Sequence, residues 1–197
     1  LYNKKYQKKI YKSHVIGSLN LMNFFQRKDI KNFIQIGSSA EYGNAMYPQK
    51  ENNVCRPTNT YGTSKLIATK HLLKLVKEKK FNGNVLRFFQ VYGPKQGKNR
   101  AIIQILNFCY KNQKFPASDG KQIRDFCYID DAANAIFKTF RNNKIKGQII
   151  NIGYGEGISF KMLIKKILKL TKGGEPIYGA FKSRNHENKK LVPSIQK

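Results

Sequence analysis

Tyr61 and Lys65 stand in YGTSK at i and i+4, a spacing that on a helix sets both side chains on one face, a turn apart. A phenol titrates near 10 when unperturbed. An adjacent ammonium favours its phenolate and would move Tyr61 toward proton exchange near neutrality. Lys65 could equally hold a ribose hydroxyl. Tyr-x-x-x-Lys alone is a common spacing that usually means nothing, so the pair needs company. Ser38 supplies it, at the end of the run NFIQIGS and inside GSSAEYG. A hydroxyl there can bond a substrate alcohol or carbonyl while Tyr61 moves the proton. The plainer alternative is a strand-end serine that closes a turn.

These groups need elements to hold them. Apolar residues at Val15, Ile16, Leu19, Met22 and Phe25 recur at helical spacing and predict a helix over about 5–27. NFIQIGS reads as a short buried strand, followed by a Gly-, Pro- and Asn-rich loop over about 39–59. A second helix is expected over about 60–79, with Leu66, Ile67, Leu72, Leu73 and Val76 inward, and a strand over about 84–89. After the turn signal YGPKQG come a helix over about 101–110, a short extended pair at about 115–118 and 123–128, and a helix over about 130–141. GQIINIG is another strand. Ser159 is a plausible N-cap for ISFKMLIKKILKL, which Gly173 and Gly174 would close. This alternation predicts parallel strands with crossover helices, an α/β doubly wound sheet, whose ligands bind beyond the carboxyl ends of the strands.

Composition narrows the function classes. The chain has 197 residues, 40% of them apolar, which suits a packed globular core. No apolar run reaches the roughly 20 residues of a membrane span, and the N-terminal stretch lacks the apolar core of a signal peptide, so a cytoplasmic protein with no membrane partner is expected. Cys55, Cys109 and Cys127 are far apart and in no C-x-x-C spacing, which suggests reduced thiols, no disulfide framework and no metal site. The net charge of +27 raises nucleic acid as a partner. The lysines, however, are spread over nearly every expected helix rather than gathered with aromatics on one face. A solvated Lys-rich surface that concentrates anionic substrates fits better.

Several ordered motifs together resemble the extended short-chain dehydrogenase/reductase family, the NAD-dependent epimerase/dehydratases that act on nucleotide sugars. GSSAEYG resembles the family's serine/threonine loop, YGTSK its Tyr-x-x-x-Lys, LRFFQVYGP the strand and turn entering the substrate region, and RDFCYIDD the arginine-led motif. NIGYGEGIS and GAFKSRNHE resemble its C-terminal part. The resemblance implies a Rossmann-type sheet, here partial, with a smaller α/β substrate-binding domain. Residues 1–88, rejoined by about 126–153, would form the NAD(P)-binding part, and 89–125 with 154–197 the sugar-nucleotide part. It also implies a hydride cycle on bound NAD or NADP, in which Tyr61 moves the matching proton, Lys65 tunes Tyr61 and holds the cofactor ribose, and Ser38 orients the sugar. Gly37 would border the cofactor with them. Ser39, Gln90, Arg124 and Arg184 would contact a nucleoside-diphosphate sugar, the arginines pairing with its phosphates. A homodimer through the two long helices is a further implication.

The departures bear on the reaction. Where the family's 4,6-dehydratases carry the acid that performs elimination, this chain has Ala40, with Glu41 displaced by one. That argues against dehydration and leaves epimerisation or 4-keto reduction. Gln90 and His14 stand where many members have asparagines. No G-x-x-G-x-x-G turn precedes Ser38, and Gly153, Gly155 and Gly157 in NIGYGEG read as a late strand-to-helix turn. The rival expectations are therefore a module that binds sugar nucleotide but not NAD(P) and, more remotely, a basic nucleic-acid-binding protein.

Overall fold

The computed structural model describes residues 4–28, 30, 32–79, 82–142, 144–181 and 188–197. The chain enters through α1 (Lys4–Tyr11), a π-helical turn (Lys12–Ile16) and α2 (Gly17–Phe25), joined without a break. The extent agrees with the apolar periodicity, but the winding is not uniform: Gly17 N–H reaches Lys12 O, a five-residue step. Such π turns interrupt α-helices where packing asks one stretch to project differently.

β1 (Phe33–Ser38) runs into a 3-10 turn (Ser39–Glu41), and after a loop come α3 (Thr60–Lys77) and β2 (Gly83–Phe88). β3 (Gln90–Tyr92), α4 (Ala101–Tyr110), β4 (Lys114–Ala117), β5 (Ile123–Tyr128) and α5 (Ile129–Arg141) follow. The chain continues with β6 (Ile149–Ile152), β7 (Gly157–Ser159), α6 (Phe160–Thr171), β8 (Glu175–Tyr178) and β9 (Lys190–Leu191).

β2 lies between β1 and β6, and both pairings are parallel, as crossover helices require. Ser38 is level with Phe88, so the 3-10 turn and β3 leave the sheet at the same carboxyl end. A second sheet has the order β3-β5-β7, with β9 also on β5, and β4 pairs with β8. The expected extended pair is thus two strands that do not meet. Phe115 and Ala117 of β4 are buried with Ile105, Cys109, Ile164 and Ile167, and that apolar contact takes β4 to β8 instead of to β5. A separate cluster of Met22, Leu72, Leu75 and Val85 seals α2 and α3 onto β2.

Local signals set several boundaries. Asn59 caps α3 by accepting Gly62 N–H at 2.9 Å, and Ser159 caps α6 by accepting Met162 N–H at 3.2 Å. The end of α6 departs from expectation. Lys172, at φ 57°, takes the left-handed position instead of Gly173, and the two glycines that follow lie against Cys109. No helix among the described residues is long and apolar enough to cross a membrane. Among them, too, no group of three or more His, Cys, Asp or Glu side chains could hold a metal.

Candidate active site

Ser38 sits where β1 becomes the 3-10 turn, and the turn is fixed by a reciprocal capping box. The Ser38 hydroxyl accepts Ala40 N–H at 3.2 Å, while Ser38 N–H donates to Glu41 Oε1 at 2.9 Å. The plain turn-closing role is therefore real, and Ser38 also acts on Tyr61 in the direction that favours the phenolate. A hydroxyl has one proton and two lone pairs, enough for both.

Tyr61 comes within reach because the start of α3 presses onto the turn. A Cβ on Gly62 would lie 2.4 Å from Ala40 O, so only glycine permits this approach. Tyr61 is 37% exposed. Burial pushes its pKa above the usual phenol value; the Ser38 hydroxyl and the charge of Arg100 pull the other way. This corrects the expected Lys65-driven phenolate. The Lys65 ammonium donates to Ile36 O at 2.9 Å and stands 5.8 Å from the Tyr61 ring centre. Burial lowers the pKa of Lys65, with Glu41 opposing.

Beneath these groups lies a buried polar centre. The Glu41 carboxylate, fully buried, accepts from Arg87 Nε at 2.9 Å and from the Thr69 hydroxyl at 2.9 Å as well as from Ser38 N–H. Glu41 thus turns inward. Arg87 lies 4.6 Å from the Tyr42 ring centre, and the Tyr42 hydroxyl donates to Asn151 Oδ1 at 2.7 Å. Burial, partly offset by Arg87, pushes the Tyr42 pKa up to about 12. Gly37 is buried here too: a Cβ would meet Glu41 Oε1 at 2.7 Å, so packing alone accounts for the glycine. Ser39 is buried in the 3-10 turn.

A cavity of about 480 Å³ opens beyond β3 and β5, lined among others by Gln90, Arg100, Gln104, Ser118, Arg124 and Phe160. The structure brings Gln90 and Arg124 to the same space. Arg124 is only 5% exposed, and its Nη1 donates to Ile123 O at 2.8 Å and Lys189 O at 3.4 Å. Arg100 lines the cavity, and its charge opposes the effect of burial on the Tyr61 pKa. Arg184 lies outside the described residues.

Glu41, Arg87 and Asp125 escaped attention as site-forming residues, although each left a trace. Ser38 to Glu41 spells the S-x-x-E of a capping box, and Arg87 is a charge inside an apolar strand. Asp125 is fully buried and accepts Tyr154 N–H at 2.9 Å and Gly155 N–H at 2.6 Å. Burial raises its pKa, and these backbone donors partly offset the rise. Gly155 at φ +94° gives the NIGYGEG turn the shape that points its amides at this carboxylate.

A parallel sheet with a serine at a strand end, and a Tyr-x-x-x-Lys helix beside it, defines a Rossmann-type α/β protein. The sequence pattern of the "NAD dependent epimerase/dehydratase family" matches residues 2–153, and the chain belongs to that family. It is 31% identical over 172 residues to the ADP-L-glycero-D-manno-heptose-6-epimerase of Brachyspira hyodysenteriae, a match covering 82% of this chain and 53% of that protein. It is 27% identical over 176 residues to the dTDP-D-glucose 4,6-dehydratase of Dictyostelium discoideum, covering 83% and 40%. The crystal structure of the UDP-glucose 4-epimerase of Thermotoga maritima with UDP-glucose superposes with a TM-score of 0.89 at 25% identity, over 96% of this chain and 63% of that one. The chain therefore spans between two fifths and two thirds of these relatives' lengths.

Proposed function

We propose that these residues form the proton-handling and sugar-nucleotide-binding part of an NAD(P)-dependent epimerase or 4-ketoreductase acting on a nucleoside-diphosphate sugar. The observation that carries this reading is Ser38 at the end of β1 with the start of α3, and so Tyr61 and Lys65, pressed against its turn, and a cavity lined by Gln90, Arg100 and Arg124 beyond β3 and β5. Tyr61 gives and takes the hydroxyl proton of the sugar carbon being oxidised or reduced. A phenol whose pKa is raised by burial is a proton donor at neutral pH, and the Ser38 hydroxyl favours the phenolate left behind. Arg124 pairs with the diphosphate, and Gln90 and Ser39 meet the sugar.

The donor set also suits the ribose end of a nicotinamide cofactor: a phenol, an ammonium and a hydroxyl at the carboxyl end of a parallel strand. Bound there, the cofactor supplies hydride transfer. Lys65 and Tyr61 hold its ribose, and Gly37 contributes only backbone. Residues 1–88 with about 126–153 belong to the cofactor side and the remainder to the sugar side. In the relatives' greater length lies room for the pyrophosphate-holding glycine turn, which these 197 residues lack. Glu41, turned onto Arg87, offers no acid for elimination, which favours epimerisation or reduction over dehydration. Tyr6, Tyr11, Leu21 and Phe24, exposed on α1 and α2, support a homodimer through that helix and α3. A cytoplasmic setting agrees with this chemistry.

Tyr61→Phe in the protein that carries the cofactor-binding part should abolish turnover while sparing sugar-nucleotide affinity; undiminished turnover refutes the reading. The missing glycine turn favours a second outcome for the chain taken alone. Calorimetric titration should show it binding a UDP-sugar without tight NAD binding, and tight NAD binding would overturn that outcome.

A further inference from the structure

His14 belongs to no part of the reading above, yet its ring stands edge-on to Tyr61, with centroids 5.1 Å apart and planes at 82°. It is half-buried and lies in the π-helical turn, the one stretch where the first helical segment departs from α winding. That turn packs on α3, the helix that carries Tyr61 and Lys65. An aromatic edge contact of this geometry fixes a ring's orientation as well as burying its area.

We propose that His14 is a positioning residue for Tyr61, bracing the phenol ring while neutral and electrostatically coupled to it when protonated. This rests on the reading of Tyr61 as the acid/base. From α3 the groups facing the imidazole are the Tyr61 phenol and the Lys65 ammonium. On its own helix Tyr11 and Lys12 precede it by three and two residues. An imidazolium would stand among cations and beside the phenol, where it favours the phenolate. Burial and, after it, the Lys65 charge hold the His14 pKa below 6.5, so the ring is neutral at neutral pH. A base with a lowered folded pKa contributes stability that is present above about 6.5 and is lost as pH falls through the folded value.

The coupling is reciprocal, and it can be read without turnover. In a 13C NMR titration of this chain, the Tyr61 Cζ resonance should inflect at the midpoint of the His14 ring, below pH 6.5. The inflection should be lost in both His14→Asn and His14→Phe, although the phenylalanine keeps an aromatic brace. Lys65→Met should raise the His14 midpoint. A Tyr61 resonance that stays flat while His14 titrates in the unsubstituted chain overturns the proposal, as does an inflection that survives His14→Asn. Neither result depends on whether Tyr61→Phe retains activity, so the two readings fail separately. If the coupling holds, the acid limb of kcat/KM in the cofactor-binding form should sit at the His14 midpoint and flatten in His14→Asn.

Discussion

Beneath Ser38 the chain buries Glu41, Thr69 and Arg87 in mutual hydrogen bonds, whereas beside the cavity it buries Ile105, Phe115, Ala117 and Ile164 in apolar contact. The two supports suit different tasks. A proton moves along a defined direction, so under the proposed function the serine and phenol need partners whose bonds are directional. A binding cavity needs shape, and close apolar packing supplies that with little angular demand. The polar support carries a hazard that the apolar one lacks, because removing one member strands a buried charge.

Arg87→Met should show the largest effect. It leaves the Glu41 carboxylate buried and unpaired, at a cost of about 3–5 kcal/mol, measurable as a fall in the urea midpoint with unchanged slope. The double change Glu41→Gln with Arg87→Met should recover much of that loss. If the single variant unfolds no earlier than the parent, the polar centre does not hold the turn, and the contrast collapses. On the apolar side, Ile164→Ala should cost about 2–5 kcal/mol while leaving the Tyr61 titration where it was. A shift of Tyr61 in that variant would show that the two supports are not independent.

Asn59→Ala, which removes the cap that starts α3 three residues before Gly62, should cost about 1 kcal/mol by denaturant unfolding. The smallest effect is alkaline. Tyr61 has a folded pKa above 10, so its contribution is fully present below pH 10 and is lost as pH rises through the folded value. The stability gap between the parent and Tyr61→Phe should therefore drift against the parent above pH 10, and a constant gap would contradict the burial of the phenol.

Legibility followed the range of the interaction. The helix over 101–110 and the cap at Ser159 agree with the sequence reading because periodicity and capping act over a few residues. The Gly173–Gly174 ending was misread because Lys172 adopts the left-handed position itself, a cost that surrounding contacts can impose on a non-glycine residue. The supposed pair near 115–118 and 123–128 separated because strand partners are chosen by the surfaces that need covering, and β8 lies far along the chain.

The same division runs through the candidate site. Sequence by itself determined that Tyr61 and Lys65 share a helix face and that Ser38 ends a strand, since both follow from local backbone periodicity. Only the tertiary structure decided that the Lys65 ammonium turns to Ile36 O, that Glu41 faces Arg87 across 46 residues, and that Asp125 collects the amides of the distant glycine turn. Those choices are made by desolvation. A charge that the fold removes from water must find its partner wherever the packed chain supplies one, and no local spacing encodes that place.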